Sequence, residues 1–128
     1  MDKFILTMCP DYGENCFYTL DGFDCGEDGE IYLDDDYMVK INVPGLSDWC
    51  YKYQEECLIP IEFGKISLEE LNKTFDWRNF HSTGLKLAAE VKKQLPEVVE
   101  LWYQAPFEDK SGLISKKILI TGERNGKL

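Results

Sequence analysis

One segment of the sequence admits a single local structure. Between Trp77 and Leu95, the residues Phe80, Gly84, Leu87, Ala88, Val91 and Leu95 recur at intervals of three and four. That spacing puts side chains on one face of an α-helix. Asn79, Lys86, Glu90 and Lys93 fall roughly opposite. Asp76 is placed to cap the first turn and Pro96 to stop the last. Gly84 sits in the middle of the apolar stripe, where it costs the helix about 1 kcal/mol relative to alanine. A glycine at that point predicts a close approach between this helix and a sheet.

Alternation of apolar and polar residues predicts strands in the first half. Phe4, Leu6 and Met8 share one face of a first strand, and Cys16 to Leu20 forms a second. Glu30 to Asp34 is a third, and Val39, Ile41 and Val43 alternate in a fourth that Pro44-Gly45 ends. Together these read as an antiparallel meander. Ser47 is the expected N-cap of a helix over Asp48–Cys57, with Leu46, Trp49, Tyr53 and Cys57 at helical spacing. Leu58 to Phe63 suits a strand or a buried connector, weakened as a strand by Pro60. Ser67 and Glu70 form a capping box that opens a short helix. Val98–Gln104 and Leu113–Thr121 are two further strands, joined by a loop too long for a tight hairpin.

The expected fold is therefore α+β: a mostly antiparallel sheet with one long helix, about residues 76–95, and shorter helices packed on it. The 128 residues suit one domain, with 122–128 a polar, frayed tail. Trp49, Trp77 and Trp102 are read as core or core-edge residues. The longest apolar run is far short of a membrane span, and the N-terminus lacks the features of a signal peptide. A soluble, cytoplasmic protein is expected, as a monomer or weak dimer.

Charge narrows the partners. The net charge is −10, which disfavours binding to a phosphate backbone. Residues 1–64 carry 15 acids against three bases, whereas residues 65–128 carry nine acids against 11 bases. Eight acids lie in one run: Asp21, Asp24, Glu27, Asp28, Glu30, Asp34, Asp35 and Asp36, interspersed with Phe23, Tyr32 and Tyr37. Such a block either keeps the chain soluble or meets a basic partner, speeding encounter and excluding acidic competitors. Asp21, Asp24, Glu27, Asp28, Glu30, Tyr32, Asp34, Asp35, Asp36 and Tyr37 are the candidate partner-binding residues.

The same run nearly spells a calcium loop. With Gly29 as the turn glycine, Asp24, Asp28 and Asp35 take positions 1, 5 and 12, but Gly26 leaves position 3 without a ligand. The flanks read as strands instead of helices. Cysteines 9, 16, 25, 50 and 57 are odd in number, separated by six, eight, 24 and six residues, so neither a disulfide framework nor a zinc ribbon is indicated. Cys9, Cys16 and Cys25 with His81 form only a loose metal-ligand set. His81, the single histidine, lies beside the helix stripe near Trp77 and Phe80 and reads as a packed side chain with local partners. No phosphate loop, nucleophile elbow or zinc-protease motif occurs. No catalytic residue, metal ligand or cofactor is assigned.

Leu46-x-x-Trp49-x-x-x-Tyr53, then Trp77-x-x-Phe80-x-x-x-Gly84-x-x-Leu87-Ala88, then Leu95, Val99 and Tyr103, form a pattern over residues 44–104. It resembles small bacterial polymorphic-toxin immunity proteins and their uncharacterised relatives. The resemblance implies a cytoplasmic inhibitor that binds a cognate toxin domain and has no catalytic residues of its own. The matching positions are packing positions, so no functional residue carries over. The expected function is a non-catalytic, immunity-like inhibitor that occludes a basic, nuclease-type toxin domain. The alternatives are a nucleic-acid mimic from a phage or mobile element, and a small metal-binding module.

Overall fold

Two sheets and a set of helices make up the α+β fold, and the computed structural model describes residues 4–11, 16–19, 29–34 and 36–121. The strands are β1 (Phe4–Met8), β2 (Phe17–Thr19), β3 (Glu30–Asp34), β4 (Tyr37–Lys40), β5 (Val99–Tyr103) and β6 (Ile118–Ile120). The helices are α1 (Leu46–Tyr53), α2 (Ile59–Glu62), α3 (Leu68–Thr74) and α4 (Trp77–Gln94). The main sheet has the order β2-β1-β5-β6. β1 runs antiparallel to β2 but parallel to β5, and β5 runs antiparallel to β6. β3 and β4 form a separate antiparallel hairpin.

The expected meander is thus corrected. Local alternation finds strands but says nothing about which of them pair, and here the N-terminal strand finds its second neighbour almost at the other end of the chain. The fourth strand also stops early. Ile41 and Val43 are buried and Asn42 is exposed, as alternation requires, yet among the described residues no strand pairs with Asn42. Its N–H donates to Gln94 Oε1 at 2.7 Å, and Gln94 Nε2 donates to its carbonyl at 2.8 Å. The side-chain amide of α4 satisfies both backbone groups in place of a neighbouring strand. Beyond β5, the expected strand over 113–121 shrinks to three residues. Gly112 adopts φ +78°, and the Leu113 N–H turns back to Ser111 Oγ, so the chain bends before it can pair.

The segment 58–62 is helical, with Phe63 as its C-cap, so it is not a strand, and it is only partly buried. α1 and α2 are joined by a π-helical turn over Gln54–Leu58, in which the Ile59 N–H reaches back five residues to the Gln54 carbonyl. A proline inside a regular α-helix collides with the carbonyl four residues before it. The widened turn comes immediately before Pro60 and gives that ring room. Gly45, with φ +91°, precedes α1, and Ser47 lies within the helix instead of capping it. The other two caps stand as expected: Ser67 Oγ accepts from the Glu70 N–H at 3.1 Å, and Asp76 Oδ1 from the Asn79 N–H at 3.0 Å.

The core lies between the main sheet and helices α1 and α4. Leu6, Met8, Val99, Leu101 and Tyr103 face it from the sheet, and Trp49, Cys50, Tyr53, Phe80, Leu85, Ala88 and Val91 from the helices. Trp49 and Phe80 stack at 4.6 Å, with Trp49 Nε1 donating to the Phe80 carbonyl at 3.0 Å. Trp77 is buried with them, whereas Trp102 is only half-buried at the sheet. Cys16 and Cys50 bring their sulfurs to 2.8 Å inside this core, where burial pushes the Cys16 thiol up.

Gly84 faces both neighbours at once. A β-carbon built there would lie 2.5 Å from Trp49 Cζ2 and 2.5 Å from the Tyr103 hydroxyl. The close approach expected from the sequence is therefore made, against the α1 tryptophan as well as the sheet. Gly84→Ala should destabilise the protein by about 1–3 kcal/mol through overpacking, although in an open helix the same change would stabilise by about 1 kcal/mol. Chemical denaturation decides it; a gain in stability would mean that the contact yields freely.

Candidate functional site

Two regions gather polar chemistry, and they lie on different elements. The first is the hairpin β3–β4. Ile31 and Leu33 of β3 point into the core, which turns Glu30, Tyr32 and Asp34 outward. Tyr32 pairs in register with Met38, and both are exposed, at 40% and 41%. Glu30 stands opposite Lys40, and Asp34 opposite Tyr37. Asp34 Oδ1 accepts from the Asp36 N–H at 2.8 Å, an Asx turn that shapes the connection. Tyr37 is half-buried against Phe4, ring centroids 5.3 Å apart, and so serves the packing of the hairpin on the main sheet. Of the candidate partner-binding residues, Glu30, Tyr32, Asp34 and Asp36 share this region. Asp21, Asp24, Glu27, Asp28 and Asp35 lie outside the described residues, and with them most of the calcium-like alignment. Gly29 has φ +83°, and its carbonyl accepts from the Ile41 N–H at 2.8 Å, closing the open end of the hairpin.

The second region is a cavity of about 450 Å³ where β1 and β5 end side by side. Parallel neighbours leave their carboxyl ends at the same edge, and in open sheets that edge is where ligands bind. β1 leads into Cys9, Pro10 and Asp11, and β5 into Gln104, Pro106, Phe107 and Glu108. β2 contributes Tyr18 to the lining. The π-turn aims Tyr53 and Leu58 into the same space, one at each of its ends. The Tyr18 hydroxyl donates to Asp11, and the Tyr53 hydroxyl to Glu108. Burial, reinforced by the adjacent carboxylate, raises both phenols above their ordinary value, so they remain donors. Burial also pushes the Cys9 thiol up to about 12, with Asp11 and Glu108 adding to it. A thiol held that high is not a nucleophile at neutral pH.

A buried relay fixes the loop that carries Glu108. His81 is fully buried on α4; its Nδ1 lies 2.7 Å from the Tyr103 hydroxyl and its Nε2 2.6 Å from Asp109 Oδ2. Burial holds the imidazole below its ordinary value, opposed in part by the Asp109 carboxylate, and burial also raises the Tyr103 phenol. The consistent protonation has Tyr103 donating to Nδ1 and Nε2–H donating to Asp109. Asp109 Oδ1 accepts from the Ser111 N–H at 2.7 Å. Asn72 of α3 holds the same loop from outside, donating to the Glu108 carbonyl at 3.0 Å and accepting from the Lys110 N–H at 2.8 Å. The sequence places His81 correctly among Trp77 and Phe80, with ring centroids at 5.8 and 5.7 Å. Its partners are distant in sequence instead of local. Both ring nitrogens are engaged, and Cys25 of the loose metal-ligand set lies outside the described residues; among the described residues no cluster suited to a metal occurs.

Sequence reasoning missed this cavity altogether. Asp11, Tyr18, Tyr53, Phe107 and Glu108 become neighbours only through the parallel pairing of β1 and β5. The one available signal was the long, mixed loop Phe107-Glu108-Asp109-Lys110, whose length suits a functional loop better than a simple hairpin connection.

The relay makes a pH prediction with a definite sign. The unfolded imidazole takes up a proton near 6.5 and the folded one resists it, so the relay's contribution is complete above that pH. It is lost as the pH falls from there through the folded value, at no more than about 1.4 kcal/mol per pH unit. Denaturant unfolding at pH 7.5 and 5.5 should show a larger loss for the parent than for His81→Gln. Equal losses would mean that the folded imidazole takes up its proton as the unfolded one does, and a smaller loss for the parent would mean that His81 folds as an imidazolium paired with Asp109.

No protein-family model, no curated protein and no solved structure matches the chain. Among the described residues no helix is long and apolar enough to cross a membrane.

Proposed function

We propose that the protein is a non-catalytic, immunity-like binding protein that occludes a basic partner, a nuclease-type toxin domain, through the acidic hairpin. The observation that carries this reading is the outward face of β3–β4, where exposed Tyr32 and Met38 sit together in register with Glu30, Asp34 and Asp36 around them. An exposed aromatic and a thioether side by side supply burial at the centre of an interface, and carboxylates at its edge supply steering. The adjoining sequence, Asp21 to Asp28, continues the same charge. A non-catalytic reading is supported, among the described residues, by Cys9, which is held as a thiol, and by His81, which is sealed in the core. The pattern over residues 44–104 that resembles toxin immunity proteins agrees with this reading, as does the acidity of the whole chain.

The test begins with co-purification from the native host and identification of the retained protein by mass spectrometry. Binding kinetics of that partner are then compared for the parent, for Asp34→Asn with Asp36→Asn, and for Tyr32→Ala. Asparagine at 34 keeps the acceptor of the Asx turn, so the fold is preserved. The double charge variant should associate roughly tenfold more slowly at low salt and differ little from the parent at 1 M salt, where the Debye length is only ~3 Å. Tyr32→Ala should act mainly on dissociation, costing about 1–2 kcal/mol. Equal on-rates at low salt, with undiminished binding by Tyr32→Ala, would sink the hairpin interface.

A further inference from the structure

We infer that Cys16 and Cys50 are a redox-active pair, two thiols that a peroxide converts reversibly into a disulfide joining the start of β2 to α1. Their sulfurs already lie 2.8 Å apart, against about 2.05 Å in a formed disulfide, so only a short closure separates them from a bond. The two residues are 34 apart in sequence, and spacing among the five cysteines does not mark them as partners. The fold alone sets them face to face. Cys50 stands on the buried side of α1 with Trp49 and Tyr53. That helix is pinned by the stack of Trp49 on Phe80 and by its bond to the Phe80 carbonyl. Cys16 precedes β2, and its carbonyl accepts from the Cys9 N–H at 2.8 Å. Both thiols are buried. Packing gives only a weak reason for this apposition, because a thiol is a poor donor and a poor acceptor, and an apolar pair would fill the space as well.

The chemistry balances with one molecule of hydrogen peroxide. One sulfur attacks a peroxide oxygen, the O–O bond breaks, and the displaced hydroxide leaves as water with the thiol proton, which makes a sulfenic acid. The second sulfur then attacks the sulfenic sulfur. The S–S bond forms, the S–O bond breaks, and hydroxide departs as water with the second thiol's proton. Two electrons pass from the thiols to the peroxide, which ends as two waters. Burial pushes the Cys16 thiol up, which keeps thiolate scarce and the reaction slow at neutral pH. Entry is through β2, among the described residues a three-residue strand at the edge of the main sheet, since short edge elements open locally at little cost. Once formed, the disulfide closes a loop that contains the whole β3–β4 hairpin and all eight acids of the run from Asp21 to Asp36. Oxidation thus ties together the two ends of the segment that carries the acidic surface.

The experiment treats the full chain, reduced and then freed of reductant, with hydrogen peroxide at pH 8 in the folded state. Thiols left free are alkylated in denaturant, and disulfides are mapped by peptide mass spectrometry. The expected product has lost two thiols and contains the Cys16–Cys50 cross-linked peptide as its main disulfide. Its melting temperature should lie on the order of 10 °C above that of the reduced chain, the effect of closing the loop in the unfolded state, and dithiothreitol should return it to the reduced value. The map separates two competitors: Cys9, whose backbone bonds to Cys16, and Cys25, which lies outside the described residues. A main disulfide containing either of them would overturn the inference. So would all five thiols remaining free after a urea-unfolded sample has oxidised, or conversion to sulfinic acid alone. Cys50→Ala should abolish the rise in melting temperature, and a rise that persists would assign it to another pair. Because the mapping uses the parent chain, the test does not rest on a variant's folding. None of these outcomes depends on whether the hairpin binds a basic partner.

Discussion

The distance between α4 and its two neighbours is the constraint on which the rest of the structure depends. Gly84 lets the helix backbone come down on the indole of Trp49 and the phenol of Tyr103 together. Because the helix sits that low, Trp49 can stack on Phe80, and His81, one position on, can meet the Tyr103 hydroxyl. From His81 the chain of bonds passes to Asp109, whose loop carries Glu108 to the mouth of the cavity. A missing side chain in the middle of a helix thus positions a carboxylate two elements away. The coupling is steric at its origin and hydrogen-bonded thereafter.

What could be read from the sequence was whatever depends on near neighbours. The stripe from Phe80 to Leu95, the caps at Ser67 and Asp76 and the strand Glu30–Asp34 follow from spacing alone, and each stands where spacing puts it. The close approach at Gly84 was legible too, since an apolar stripe interrupted by glycine has few other uses. Pairing was not. Nothing in Phe4–Met8 signals that its parallel neighbour is Val99–Tyr103, and the cavity exists only because of that pairing. Pro60 misled in a different way: its usual conflict with a helix is relieved by a π-turn, and five residues of ordinary composition give no sign of one. Asn42 shows that alternation and burial can persist where a strand does not, once a glutamine amide takes over the hydrogen bonds.

Charge and fold are partitioned along the same line. The acid-rich first half supplies the hairpin, whose inner face is aliphatic and whose outer face carries Glu30, Tyr32, Asp34 and Met38. The second half, close to neutral, supplies α3, α4, β5 and most of the hydrogen-bonded relay. The hairpin can therefore change its outward residues with little effect on the α4–β5 core, because its link to that core runs through Ile31, Leu33, Tyr37 and the Gln94 amide. An interface on that face would be free to diversify while the scaffold stayed constant.

The parallel pairing of β1 with β5 also bears on how the chain reaches this structure. Phe4 pairs with Val99 and Met8 with Tyr103, so the central pair of the main sheet cannot form until β5 has been made. Until β5 emerges, β1 has one edge unfilled and only a three-residue strand, β2, on the other. The β3–β4 hairpin and the α1–α2 segment join residues near in sequence and can form in that interval, but α4 packs against Tyr103 of β5, and the sheet closes last. Such an order of events favours slow, contact-order-limited folding over rapid collapse to the final topology.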